Sequence, residues 1–155
     1  MAEQVLIVDR TAYNSVGKQL PEAKGAIQDI RDAASEFLFI TGTKVTFQTQ
    51  ESLLSASHAS LGLLLHINSA LVVHNGSVAR RGYIPLGGEH AHGHMEWKEG
   101  LYVGPEHSDD HPLIFLPLHS KNQFPDQVSP NMPHAVLEYI EKVKKLGKTL
   151  TTYFP

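Results

Sequence analysis

Between Asn75 and Asn131 the chain is rich in Gly, Pro, His and Asp. Its apolar residues come there only in short pieces, at Tyr83-Ile84, Leu101–Val103 and Leu113–Leu118. Neither a helical nor an alternating period runs through this stretch, so it supplies loops and short strands but no separate domain. No large sheet is visible for helices to cover, and the order of segments predicts an α+β fold with a loop-rich middle.

The flanks are patterned. Residues 4–9, QVLIVD, form an apolar run suited to a strand. FLFIT at 37–41 has the β-branched and aromatic content of a second strand, ended by Gly42 and Lys44. Between them Pro21 opens a predicted helix carrying Ala26, Ile27, Ile30, Ala33, Ala34 and Phe37, with Gly25 inside it. A second helix is predicted from about Gln50 to His66, weakened by Ser, His and Gly62. The third, a long C-terminal helix from Pro133 to about Lys148, has the clearest pattern. Val136, Leu137, Ile140, Val143 and Leu146 form its apolar stripe, and Glu138, Glu141, Lys142, Lys144 and Lys145 cover the opposite arc. Asn131 suits its cap, and Gly147 marks either a packing contact or the onset of fraying.

Composition narrows the function classes. The chain has 155 residues, the length of one ordinary domain, and no cysteine, which excludes disulfides, thiolate nucleophiles and Cys-based metal sites. Net charge is -3 and no basic run exceeds the pairs Arg80-Arg81 and Lys144-Lys145, which argues against nucleic acid or an anionic membrane as partner. The opening residues lack a secretory pattern and the densest apolar stretch, Leu61 to Leu65, is far too short for a membrane span, so a cytoplasmic location is expected.

Ten histidines stand against four arginines, which directs attention to metal chemistry. In GGEHAHGH at 87–94, His90, His92 and His94 alternate and Glu96 follows. On a strand, alternate side chains share a face, and the pattern approaches the first metal motif of cupins. Gly104 falls one place late for that motif, and the flanking glycines read as a loop, so no metal is assigned there. His107-Ser108-Asp109 supplies two thirds of a 2-His-1-carboxylate triad. Only His111, His119 and His134 follow it, and no arginine lies beyond Arg81 to pair a co-substrate carboxylate. Nucleophile elbows and phosphate-binding glycine loops are missing as well. Spacing alone assigns neither a catalytic residue nor a metal ligand.

Four blocks in the middle do form an ordered series: RRGYIPLGGE at 80–89, KEGLYVGPE at 98–106, DHP at 110–112 and LHSKNQFPD at 118–126. The series resembles the N-terminal region of the Fe(II)/2-oxoglutarate-dependent oxygenases, the superfamily that includes isopenicillin N synthase. QVLIVDRTAY resembles that region's opening strand, and IQDIRDAASEFLFITGTKV its first helix and following strand. VLEYIEKVKKLGKTL resembles the long helix that precedes the catalytic barrel. Residues 42–78 depart most, with TGTKV where a glycine–histidine turn is usual.

The resemblance implies a single N-terminal-type domain over residues 1–155, the helix and strand portion of a double-stranded β-helix (jelly-roll) oxygenase, with the catalytic domain absent. In that family the iron ligands and the arginine and serine that bind 2-oxoglutarate lie in the barrel after the long helix. His107-Ser108-Asp109 falls instead between the KEG and DHP blocks, and His90, His92 and His94 fall in a variable insert. In isopenicillin N synthase the arginine of an Arg-x-Gly-Tyr block meets a substrate carboxylate, which implies Arg80, with Tyr83, as substrate-binding residues. Ile84 stands where that enzyme has a second tyrosine, so its substrate is not implied. A structural role for Gly82-Tyr83, as turn glycine and packed aromatic, is the competing reading.

The expected function is thus the N-terminal domain of an oxidoreductase using Fe(II) and 2-oxoglutarate on a small molecule, inactive as this chain alone. Two rival readings are a His-rich cupin-like metal-binding protein and a non-catalytic interaction fragment. The stripe of the C-terminal helix is too apolar to be left in water, so self-association through that helix is also expected.

Overall fold

The computed structural model describes residues 43–151, the backbone of residues 6–9 and 38–41, and the helical positions Gly25 and Gln28. Contacts divide the chain into two units, Met1–Thr46 with Lys142–Pro155, and Phe47–Glu141.

In the first unit, β1 (Leu6–Asp9) and β2 (Leu38–Thr41) pair in parallel, with Leu6 opposite Leu38 and Asp9 opposite Thr41. Both predicted strands are present. A parallel pair needs a long crossover between its strands. Gly25 and Gln28, within the helix predicted there, are helical, and the remainder of that helix lies outside the described residues.

The second unit opens with α1 (Phe47–Leu61) and α2 (Leu65–Ala70), which corrects the single helix predicted from Gln50 to His66. The Gly62 N–H donates to the His58 carbonyl at 2.9 Å and the Leu63 N–H to Ser60 at 3.2 Å, tightening the last turn. Leu64 then adopts an extended ψ of 138° and the chain leaves the helix axis. Asn68, 2% exposed, donates from Nδ2 to the Ser60 carbonyl at 3.1 Å, so α2 helps cap the end of α1. This break is specified by one buried amide as much as by Gly62.

The next strand is β3 (Gly82–Ile84), buried at all three positions. It is followed by the short hairpin of β4 (His90–Ala91) and β5 (His94–Met95), and then by β6 (Gly100–Tyr102). β3 pairs antiparallel with β6, Tyr83 opposite Leu101, and its other edge meets Val72 through a parallel bridge. Leu113–Leu118 is not an extended piece. Turns run from His111 through Leu116 and end in a 3₁₀ turn at Pro117–His119. Pro112 and Pro117 cannot donate to a strand ladder, and Phe115 and Leu118 are left 86% and 64% exposed.

Helix α3 (Met132–Leu150) starts where Asn131 accepts the Ala135 N–H at 3.1 Å, the cap position predicted for it. Met132, Ala135 and Val136 bury against Ala56 of α1, with Leu53, Leu101, Val103, Phe124 and Ile140 packed around them. Of the predicted stripe, Val136 is buried, Leu137 and Ile140 are half-buried and Val143 is 39% exposed. The helix runs through Gly147, where an added Cβ would meet nothing within 4 Å among the described residues. The described residues are α+β, with three two-stranded sheets and no closed barrel. No helix among them is long and apolar enough to cross a membrane.

Candidate functional site

The site is built around β3, where two consecutive arginines take opposite roles. Ser77 starts a turn: its Oγ accepts the Ala79 N–H at 3.2 Å and its carbonyl the Arg80 N–H at 2.9 Å. Arg80 leaves that turn with a left-handed φ of 50° and is exposed, whereas Arg81 is only 7% exposed. The Arg81 guanidinium donates to the carbonyls of Pro105 at 3.0 Å, Leu118 at 3.4 Å and Ser120. Burial lowers its pKa from the usual arginine range, and the nearby Glu106 charge opposes that shift.

Gly82 has φ 136°, and a Cβ there would collide with the Leu71 carbonyl. Only glycine fits this approach. Above it the Gln123 amide donates to the carbonyls of Arg81 at 2.6 Å and Val72 at 3.3 Å. Asn122 exchanges two hydrogen bonds with the backbone of Gly104, both at 2.8 Å, and also donates to Glu106 Oε1 at 3.0 Å. The sequence blocks RRGY, VGPE and SKNQF are thus one clasp, in which long polar side chains of one block satisfy backbone groups of the others.

Tyr83 is 2% exposed and its hydroxyl donates to Glu99 Oε2 at 2.6 Å. Its pKa is pushed up to about 12, by burial first and then by the bond to Glu99 and that carboxylate's charge. On the adjoining surface Glu89 accepts the Tyr102 hydroxyl at 2.5 Å and lies 3.1 Å from Lys98, which also pairs with Glu96. Glu89, Lys98 and Tyr102 line a cleft of about 230 Å³ together with Ile84 and Glu99. The Tyr102 bond, then the Lys98 bond, lower the pKa of Glu89, and the charges of Lys98 and Arg80 add to the effect.

The GGE to KEG insert forms a tight hairpin where a loop is expected. His92 (φ 50°) and Gly93 (φ 80°) occupy both left-handed positions of its two-residue turn. Ala91 pairs with His94 and His90 with Met95, so His90 and His94 project to opposite faces. The reversal of the chain undoes the alternation seen in the sequence. The carboxylate of Asp109 lies 3.4 Å from Lys121 with its side chain 95% exposed, and the His107 ring nitrogen Nε2 faces His119 instead. His134 is exposed at the start of α3. No group of three or more His, Asp or Glu side chains among the described residues is placed to hold a metal ion. The described residues thus do not fit an iron centre.

Arg81, Asn122 and Gln123 are the residues that sequence reasoning missed. Their only signal was membership of ordered blocks, since each acts on backbone far away in the chain.

The chain is similar to a known family and to a named relative. The family described as "non-haem dioxygenase in morphine synthesis N-terminal" matches residues 7–127. A protein of Dictyostelium discoideum named "Probable iron/ascorbate oxidoreductase" is 32% identical over 158 residues. The match covers 96% of this chain and 44% of that relative's own length.

Proposed function

Since the chain belongs to the family of non-haem dioxygenase N-terminal domains, we propose that it serves as the N-terminal part of an Fe(II)/2-oxoglutarate-dependent oxidoreductase acting on a small molecule. In this reading residues 1–155 are one such domain, the helix and strand portion that accompanies a double-stranded β-helix. The iron ligands and the 2-oxoglutarate site belong to that β-helix, and this chain alone does not turn over. A cytoplasmic location is part of the same proposal.

The role of the chain is to present substrate-facing groups from a rigid edge. The observation that carries this is the divergence of Arg80 and Arg81. Arg81 is consumed by three carbonyls, while Arg80 stands exposed beside the cleft of Glu89, Lys98 and Glu99. A free guanidinium fork matches a carboxylate. Tyr83, buried and bonded to Glu99, holds that cleft residue in place.

The test joins this chain to the remaining part of the Dictyostelium relative and compares Arg80→Ala with the unsubstituted protein. A raised KM for a carboxylate-bearing substrate supports the reading, and an unchanged KM and kcat removes Arg80 from it. Self-association through α3 is proposed as well, supported by Val143 at 39% exposure. Sedimentation of wild type against Val143→Asp tests it, and a monomeric wild type contradicts it.

A further inference from the structure

Between α2 and the turn at Pro125–Ser129 lies a hollow of about 530 Å³, within the size range of small-molecule sites. Ile67, Leu71, Phe124, Pro125 and Val128 give it apolar walls. Both sides are fixed before any ligand arrives. The Pro125 carbonyl accepts the N–H groups of Val128 at 3.0 Å and Ser129 at 2.8 Å, and Phe124 packs on the core cluster of Met132 and Val136. Opposite, the buried Asn68 amide ties α2 to α1, and Asn75 Nδ2 donates to the Ala70 carbonyl at 3.1 Å. The polar side chains of 122–127 then divide in role. Asn122 and Gln123 are spent on backbone groups, whereas Asp126 and Gln127 line the hollow together with His66. Asp126 is exposed and has no ion-pair partner among the described residues, and neither lysine nor arginine lines the hollow.

We propose that this hollow binds a small aromatic molecule carrying a protonated amine, its ring against Ile67, Leu71 and Phe124 and its ammonium at Asp126. The apolar walls supply the affinity, because a flat ring leaves water on binding there and meets the Phe124 ring. Charge decides the class. A carboxylate with no cation beside it attracts an ammonium and repels another carboxylate. Gln127 offers a further amide oxygen, and a neutral His66 one acceptor nitrogen, to the remaining N–H groups of the amine. Walls that are already ordered lower the entropy lost on binding. The ion pair is exposed and therefore weak, so the amine is favoured over the matching acid by about fivefold, not by orders of magnitude. The hollow shares no lining residue with the cleft of Glu89 and Lys98, and the inference is independent of the oxidoreductase reading above.

The experiment titrates the isotope-labelled full chain with phenethylamine, phenethyl alcohol and phenylacetate, following backbone amides by NMR at about pH 8, above the ordinary imidazole range. Saturable shifts are expected in α2 and the turn at Pro125–Ser129, tightest for the amine and weakest for the acid. Asp126→Asn should erase that ranking and leave the alcohol's affinity unchanged, while Asp109→Asn, at an exposed carboxylate outside the hollow, preserves it. Ala70→Phe, which fills the hollow from an exposed helical position, should abolish binding of all three. Absence of saturable shifts with any probe overturns the proposal, as do shifts centred elsewhere or a ranking that survives Asp126→Asn or is lost in Asp109→Asn. Should Ala70→Phe unfold, the exposed Asp126→Asn variant decides alone.

Discussion

Gly104 and Arg81 are matched in shape: a Cβ on Gly104 would stand 2.7 Å from Arg81 Nη2 and 2.8 Å from its Cζ. The guanidinium lies over bare backbone while its N–H groups reach carbonyls on both arms of the loop from Pro105 to Ser120. Asn122 grips the same glycine through its own N–H and carbonyl, so three separated blocks meet at one residue.

Arg81→Ala should destabilise the chain severely, because the carbonyls of Pro105, Leu118 and Ser120 lose a charged donor at once. Hydrogen bonds to charged groups are worth about 1.5–3 kcal/mol each. Arg81→Lys should recover little, since an ammonium lacks the planar fork. Urea midpoints at unchanged slope measure both, and a shift in Arg81→Ala no larger than in Arg80→Ala contradicts the clasp.

Gly82→Ala should be worse tolerated than Gly104→Ala. At Gly82 the backbone itself is in a region costly to other residues, about 1–3 kcal/mol, and the new methyl collides with the Leu71 carbonyl. At Gly104 the clash is with a side chain that can move, at the expense of its hydrogen bonds. Thermal melts of the two variants rank them, and equal losses would show that the left-handed strain is not felt.

Tyr83 gives a pH dependence with a defined sign. Its hydroxyl titrates at about 12 in the folded chain and about 10 when unfolded. Between those values the unfolded chain has lost the proton and the folded chain still holds it, so stability falls as pH rises through this window. Below about pH 10 the contribution is fully present. Tyr83→Phe should flatten the alkaline fall seen by chemical denaturation at successive pH values, and an unchanged profile would place the fall on other groups.

His92 occupies a left-handed turn position that costs a side-chain-bearing residue roughly 1–2 kcal/mol. His92→Gly should therefore stabilise the chain by up to about 1 kcal/mol, net of glycine's extra freedom when unfolded. A lower melting temperature for His92→Gly would contradict the turn assignment.

The strands, the long helix and the loop-rich middle were readable because each is written in a local period or its absence. QVLIVD yields β1, and the stripe from Val136 to Ile140 faces the core as its spacing requires. The break after Leu61 was hidden because Leu63, Leu64 and Leu65 continue an apolar run, and the buried amide of Asn68 that helps end α1 leaves no local mark. Leu113–Leu118 misled for the opposite reason: its apolar content suggested a strand while Pro112 and Pro117 enforced turns. Arg80 and Arg81 are chemically identical neighbours; Arg80 stands exposed at a left-handed φ, while Arg81 is buried against carbonyls far along the chain. The His107–His119 pair is set by chain reversal, which spacing along the sequence does not encode.

The central claim is that this chain carries an oxygenase N-terminal domain whose chemistry needs the family's β-helix. The most direct measurement is iron-dependent succinate release from 2-oxoglutarate, with ascorbate present, by this chain alone and by the chain joined to the remaining part of the Dictyostelium relative. The account predicts release by the joined protein and none by the chain alone above a no-protein control. Iron-dependent succinate release by the chain alone would contradict it.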